Sequence, residues 1–258
     1  MRYSKASIFS ISLMMTWVWS PASAVVIDSF NYGSVALIAP GGGQYDGAGI
    51  VGGERDIETA SFVNGNALID VFDSNQLAIT SFSGKSNLGL YDFVYDGNDS
   101  LPSNDFDGLG SVDFTDGGAS NAIRFRVLSS SAPLRIRVNF SKTVPNAPTP
   151  AEQYAGAKGV IDIGPITTAT DVYIPYASLA NPSNIFTDPI DFTDIDWFRW
   201  SVNELTNSGF ATTIDFVDTA YYSPTQTPED PVDIPTPGTL SLALAGILAA
   251  RLGIGRRR

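Results

Sequence analysis

Four arginines at alternating positions are the residues whose types and spacing most clearly suggest binding chemistry in this sequence. They are Arg124, Arg126, Arg135 and Arg137, and an apolar residue separates the members of each pair. A guanidinium donates paired hydrogen bonds to a carboxylate, so one surface bearing all four would suit an acidic polysaccharide. The alternative is a solvated sheet face on which the arginines pair with nearby aspartates, because like charges on adjacent strands repel each other.

Two tryptophans in one apolar segment are the next candidates for a binding role. Trp197 and Trp200 are three positions apart, so a strand would direct them to opposite faces. We expect one of them in the core. The other would offer a flat ring on which a sugar can stack, and the alternative is that the fold covers both rings.

Acidic side chains crowd the segment 96–116, and the oxygen atoms of such loops suit Ca²⁺. The candidate ligands are Asp96, Asp99, Asp105 and Asp107. The segment is not an EF-hand, because Phe114 stands where the bidentate glutamate would be. A structural Ca²⁺ is one expectation and ordinary Asx turns are the other, and we expect no further cofactor.

No group of residues in the sequence predicts catalysis. Histidine and cysteine are both absent, which removes the commonest general base and the commonest metal ligand. The sequence contains no phosphate-binding loop, no G-x-S-x-G motif and no dinucleotide fingerprint. Carboxylates are plentiful enough for glycoside hydrolysis, but nothing singles out a pair. We therefore expect a protein that is not an enzyme.

The charge of the chain excludes one class of partner. Six of the 15 basic residues lie in the two ends, whereas all 27 acidic residues lie between Asp28 and Asp233. That span therefore carries nine basic residues and a net charge of −18, against −12 for the whole chain. Phosphates would be repelled, so no nucleic-acid partner is expected.

Residues 25–222 are predicted to form an all-β domain, an antiparallel β-sandwich or jelly roll. Runs of β-branched and aromatic residues alternate with turn residues, and no helical period is sustained. The predicted strands are Ala67–Phe72, Leu77–Phe82, Leu88–Tyr95, Ala122–Leu128, Leu134–Phe140, Asp171–Tyr176, Ile195–Val202 and Thr213–Tyr221. The short connection between 122–128 and 134–140 predicts a hairpin, which would direct all four arginines to one outer face.

The first 24 residues are typical of a signal peptide. Arg2 and Lys5 precede an apolar stretch over 8–19, and Ala22 and Ala24 form an A-x-A cleavage site. The apolar stretch is too short for a comfortable membrane span. We therefore expect export across an inner membrane.

The C-terminal region has the layout of a linker followed by a sorting tail. Residues 223–233 are rich in proline and charge, which is typical of a linker. The tail, residues 234–258, contains Pro235, Thr236 and Pro237, then an apolar run over 240–250, and ends in Arg256, Arg257 and Arg258. Terminal arginines favour the cytoplasmic side, and the run is short and followed by Arg251, so we expect a transient membrane stop.

This tail resembles the PEP-CTERM sorting signal of Gram-negative bacteria, which combines a Pro-Glu-Pro-like motif, an apolar helix and a basic end. Thr236 stands where that family usually has glutamate. The resemblance implies processing by an exosortase and delivery to the outer surface or extracellular matrix. Four further segments resemble a jelly-roll domain that recurs in such proteins: Gly52–Ile57, Tyr95–Asp99, Gly108–Gly118 and Ile214–Val217.

These observations together predict an exported cell-surface or matrix protein that binds acidic polysaccharide. The first alternative is a purely structural or adhesive matrix protein without a small ligand. The second alternative is a glycan-processing enzyme.

Overall fold

The computed structural model describes residues 24–31, 35–38, 41–60, 67–72, 76–81, 90–97, 108–144, 154–179, 190–205 and 209–224. The chain divides into two compact units, residues 1–221 and 222–258, and only 222–224 of the second are described. Ala22, nearly all of the predicted linker and the whole predicted tail therefore lie outside the described residues. Within the described ranges, no helix is long and apolar enough to cross a membrane.

Thirteen strands account for the regular structure of the described ranges. They are β1 (Val26–Asp28), β2 (Val35–Ile38), β3 (Gly41–Asp46), β4 (Glu54–Ala60), β5 (Ala67–Phe72), β6 (Gln76–Ser81), β7 (Leu90–Tyr95), β8 (Ala122–Ser130), β9 (Leu134–Thr143), β10 (Tyr154–Ile163), β11 (Thr170–Pro175), β12 (Trp197–Glu204) and β13 (Phe210–Ala220). Two single 3₁₀ turns, Val51–Gly53 and Tyr176–Ser178, accompany them.

The strands form two antiparallel sheets. The first, sheet A, has the order β11-β8-β13-β6-β5-β2, and β1 also pairs with β13. The second, sheet B, has the order β10-β9-β12-β7-β4-β3. Most connections cross from one sheet to the other, so strands that are neighbours in sequence are mostly not neighbours in a sheet. The predicted all-β antiparallel architecture is confirmed.

The core lies between the inner faces of the two sheets. Phe125 of sheet A meets Trp200 of sheet B edge to face, with ring centroids 5.3 Å apart. Trp200 also stacks on Phe93 of its own sheet at 4.1 Å. These rings are fully buried, and removing each from water stabilises the fold by about 1.5–3 kcal/mol. The period-2 alternation of apolar residues along the strands therefore fixes which face of each sheet points outward.

The predicted hairpin between 122–128 and 134–140 is wrong, although both strands exist. β8 lies in sheet A between β11 and β13, and β9 lies in sheet B between β10 and β12. The end of β8 and the residues that follow it form backbone hydrogen bonds with other segments and do not close a hairpin turn. Ser130 pairs with Ile166, and the Ser131 N–H donates to the Ala211 carbonyl. The chain therefore changes sheets between β8 and β9, and the four arginines lie on opposite sides of the sandwich.

Candidate functional site

The two arginines of β8 are neutralised on the outer face of sheet A. Antiparallel register places Asp218 of β13 opposite Arg124, and Asp171 of β11 opposite Arg126. Arg124 donates through Nε and an Nη atom to both oxygens of Asp218, at 2.9 and 2.5 Å. Arg126 donates to Asp171 at 3.0 Å. Both guanidinium groups are therefore engaged by carboxylates of the domain itself.

The outer face of sheet B carries the other two arginines. Arg135 forms a two-pronged pair with Asp162, which lies opposite it on β10, with N–O distances of 2.6 and 2.7 Å. These hydrogen bonds hold the pKa of Asp162 below its ordinary value. Two positions along β9, Arg137 makes no ion pair within 4.0 Å and no hydrogen bond in the part of the chain that is described.

Arg137 is surrounded by polar and apolar groups rather than by a close carboxylate. Ser201 of β12 lies opposite it on one side and Val160 of β10 on the other. Beyond Ser201, the register continues to Asp92 of β7, whose carboxylate accepts a 2.5 Å hydrogen bond from Arg199. Arg137 is half-buried, and its charge acts on the carboxylates of Asp92 and Asp162 without forming a close ion pair with either.

Asp92 is the residue of this face that the sequence analysis missed. Burial raises its pKa above the ordinary value, and Arg199, Ser201 and Arg137 oppose that rise. Its carboxylate is the only acidic group in the otherwise apolar and aromatic run of β7, and that contrast was the available signal. Asp92 holds Arg199 in place beside Arg137, which gives it a positioning role on this face.

Most of the described basic side chains of the domain form ion pairs with carboxylates. Eight of the nine basic residues between the chain ends are described. Six form ion pairs: Arg55, Arg124, Arg126, Arg135, Lys142 and Arg199. Among the described residues, only Arg137 and Lys158 lack an ion pair, and both lie on the outer face of sheet B.

Neither tryptophan of the 197–200 segment presents an open ring. Trp200 is fully buried in the core, as expected for one of the two. Trp197 points to the outer face of sheet B but is only 5% exposed. A sugar ring therefore cannot stack on either side chain in this conformation, and the structure favours the alternative that both are covered.

Of the four predicted Ca²⁺ ligands, only Asp96 is described, and Asp99, Asp105 and Asp107 lie outside the described residues. Asp96 is buried beside Glu54 and Asp56, and one oxygen atom of each lies within 4.8 Å of the others. Carboxylate oxygens are the ligands that Ca²⁺ prefers, so these three side chains are able to contribute to a cation site. Gln44 also donates a hydrogen bond to Glu54.

The nearby loop uses its aspartates differently. The Asp113 carboxylate accepts hydrogen bonds from the backbone N–H groups of Thr115 and Gly117, at 2.7 and 2.9 Å. The Thr115 hydroxyl donates to the same carboxylate, and these contacts lower the pKa of Asp113. This is the Asx-turn chemistry that the sequence offered as the alternative to Ca²⁺.

Comparisons with known proteins give no family assignment. No family model matches the chain, and no curated protein matches it. Among solved structures, the family 11 carbohydrate-binding module from Clostridium thermocellum in complex with a β-1,3-1,4-mixed-linked tetrasaccharide is 16% identical, with a TM-score of 0.36 over 78% of this chain and 98% of that one. A family 30 carbohydrate-binding module of a cellulosomal cellulase from Clostridium thermocellum is 11% identical, with a TM-score of 0.38 over 76% and 98%. An exo-beta-agarase is 14% identical, with a TM-score of 0.39 over 78% of this chain and 26% of that one.

Proposed function

We propose that this chain is an exported jelly-roll protein, not an enzyme, that binds an acidic polysaccharide through the outer face of sheet B. The observation that carries the proposal is the state of Arg137. Three of the four predicted binding arginines form close ion pairs with aspartates of the domain, whereas Arg137 forms none with the described residues. A half-buried guanidinium without a close ion pair is suited to a uronate carboxylate, which it would bind through paired hydrogen bonds.

The neighbours of Arg137 favour a sugar as the rest of the ligand. Asn139 supplies a half-buried amide group on the same face, and Val160 supplies an exposed apolar surface, whereas Ser201 is buried and hydrogen-bonded to Asp92. Arg199, fixed by Asp92, places a second guanidinium one strand away. In such a complex, amide groups would hydrogen-bond the sugar hydroxyls, and the arginine guanidinium would bind the sugar carboxylate.

Binding of the exported chain to polygalacturonate and alginate, compared with neutral dextran, tests the proposal. We expect Arg137→Ser to weaken acidic binding by about 10-fold or more, which is the effect of losing a charged hydrogen bond. Arg126→Ser is the matched control, because Arg126 is ion-paired on the opposite sheet. Equal binding by the Arg137→Ser and unsubstituted chains would reject this site. Added salt should weaken binding of the unsubstituted chain to the acidic polysaccharide, because it screens charge interactions.

A structural or adhesive matrix protein is the second candidate, and the pairing of the charges favours it. Six of the eight described basic side chains are satisfied within the domain, and both tryptophans of the 197–200 segment are covered. A surface whose charged side chains are already ion-paired needs no small ligand to balance them. Absence of binding to every glycan tested, with a folded chain, would establish this second candidate over the first.

Export and sorting form a separate part of the proposal. They are supported by the order of sequence features: a signal peptide over 1–24, a linker over 223–233 and a PEP-CTERM-like tail over 234–258. Intact-mass measurement of the chain released from a Gram-negative host with an exosortase should show an N-terminus at Val25 and loss of Arg256–Arg258. Retention of the three arginines in the released protein would contradict exosortase processing.

A structural Ca²⁺ is a prediction from the acidic segment that begins at Asp96. Thermal unfolding of the chain with Ca²⁺ and with a chelator tests it, because an ion that binds only the folded state raises the midpoint. An unchanged midpoint would reject the prediction.

A further inference from the structure

β10 is the terminal strand of sheet B among the strands that the structure describes. Within the described residues it pairs with β9 alone and makes no backbone hydrogen bond to another segment. Its second half is exposed: Lys158, Val160 and Asp162 all point outward, and Val160 is 54% exposed. An edge strand offers a row of unpaired N–H and C=O groups on which another strand is able to pair.

The exposed side chains of β10 are complementary to themselves. Lys158 and Asp162 flank Val160 at equal distances along the strand, with opposite charges. If a second copy of β10 is placed antiparallel to the first and centred on Val160, each Lys158 faces the other copy's Asp162 and the two valines face each other. Opposite charges and apolar side chains are favourable directly across antiparallel strands, whereas like charges are not.

The charges around β10 are consistent with this arrangement. Lys158 is one of the two described cations without an ion pair, so no described carboxylate lies within ion-pair distance of it. Asp162 already accepts two hydrogen bonds from Arg135, and a carboxylate has further lone pairs for an ammonium. Gly159 points inward, where a Cβ would lie 2.3 Å from Leu179, so it leaves the outer row uninterrupted.

We propose that two copies of this chain pair through β10, antiparallel and centred on Val160, to join their B sheets into one continuous sheet. Arg137 lies one strand in from the junction. The paired molecule would therefore carry two Arg137 side chains on one uninterrupted outer face.

Cross-linking by a single introduced thiol tests the pairing, because the chain has no cysteine of its own. In the proposed register, residues facing each other across the two-fold have Cα atoms about 4.5–5.5 Å apart, which is within the range of a disulfide. We expect Val160→Cys in the full detergent-solubilised chain to give a covalent dimer on mild oxidation. Val26→Cys is the matched control, since Val26 is 48% exposed on a different strand, and should give only monomer. No more dimer from Val160→Cys than from Val26→Cys would overturn the proposal.

A charge exchange in the same background tests the register. Adding Lys158→Asp places two carboxylates against each other and should abolish most of the cross-link. Adding Asp162→Lys as well restores opposite charges across the junction and should restore the cross-link. Unchanged cross-linking with Lys158→Asp alone would reject the register. Cross-linking is measured without any glycan, so failure of polysaccharide binding and failure of pairing are separate results.

Discussion

Asp28 and Arg55 form an ion pair that the fold removes completely from water. Both side chains are fully buried, and an Arg55 Nη atom lies 2.5 Å from Asp28 Oδ2. The Tyr95 hydroxyl donates to the same oxygen at 2.9 Å and accepts a hydrogen bond from Trp200 Nε1 at 3.1 Å. The network thus connects β1 of sheet A with β4, β7 and β12 of sheet B. Its members are mutually dependent, because a buried charge without its partner is strongly destabilising.

Asp28→Ala should lower the free energy of unfolding by about 3–5 kcal/mol, because it leaves the Arg55 guanidinium buried without a counter-ion. Adding Arg55→Met removes that orphaned charge, so the double variant should be more stable than Asp28→Ala alone. Urea unfolding followed by tryptophan fluorescence measures both values. A double variant less stable than the single one would show that the ion pair is not the reason for the loss.

The arginines show what alternation along a strand does and does not predict. Period 2 correctly separated Arg124, Arg126, Arg135 and Arg137 from the core residues between them. The alternation does not predict which strands become neighbours in a sheet. The acidic partners of the arginines therefore come from distant strands, such as β13, whose Asp218 lies 94 residues from Arg124. The lack of a close ion pair at Arg137 depends on which strands become neighbours, so only the structure could reveal it.

At the scale of elements, Gly52, Gly97 and Gly108 form a glycine junction. Gly52 lies just before β4, Gly97 lies just after β7, and Gly108 is the first described residue of the next segment. Gly52 and Gly97 both have positive φ, 75° and 87°. A Cβ on Gly97 would lie 2.1 Å from the backbone oxygen of Gly108, and one on Gly52 would lie 3.2 Å from the Gly97 Cα. The backbones at Gly52, Gly97 and Gly108 therefore lie close together, and this contact explains why positions 52 and 97 carry no side chain.

Gly97→Ala should destabilise the domain by more than Gly110→Ala. Gly110 also has a positive φ, 66°, but a Cβ there would meet no atom within 4 Å. The control therefore carries only the left-handed backbone penalty of about 1–2 kcal/mol, whereas Gly97→Ala adds a clash with backbone that must move. Urea midpoints of the two variants test the difference. Equal midpoints would mean that the junction is loose enough to accept a methyl group.

The strands missed in the sequence are those whose composition does not resemble a half-buried sheet surface. β3 begins with three glycines, which favour a turn, and β10 contains Gly156 and Gly159 among small residues. β4 is rich in charge because its Arg55 belongs to the buried network, and its buried Glu54 and Asp56 belong to the acidic cluster. The predicted bounds of β5, which is apolar at all but one position, and of β9, which alternates regularly, lie close to the observed ones. Tertiary contacts, rather than local preference, determine the exceptions.

At the scale of the whole domain, the last strand holds a central place. β13 lies between β8 on one side and β6 and β1 on the other. The Val25 N–H donates to the Thr219 hydroxyl across 194 positions of sequence. The first and last strands of the domain are therefore neighbours, and sheet A cannot be complete until the chain has been made as far as Ala220. Such non-local pairing is typical of slow-folding β-proteins.

A chain that ends before Phe210 should consequently fail to unfold cooperatively. The deletion removes Phe210, Ile214 and Val217 from the core and separates β8 from β6. Burial of these three side chains is worth about 1.5–3 kcal/mol each, and the lost ladders add to that, against a total stability of about 5–15 kcal/mol. A chain that ends at Pro224 is the matched control and should keep the urea midpoint of the full chain, because unit 1 ends at Tyr221. A cooperative transition in the shorter chain would mean that sheet A is stable without its central strand, and that the two sheets do not fold as one unit.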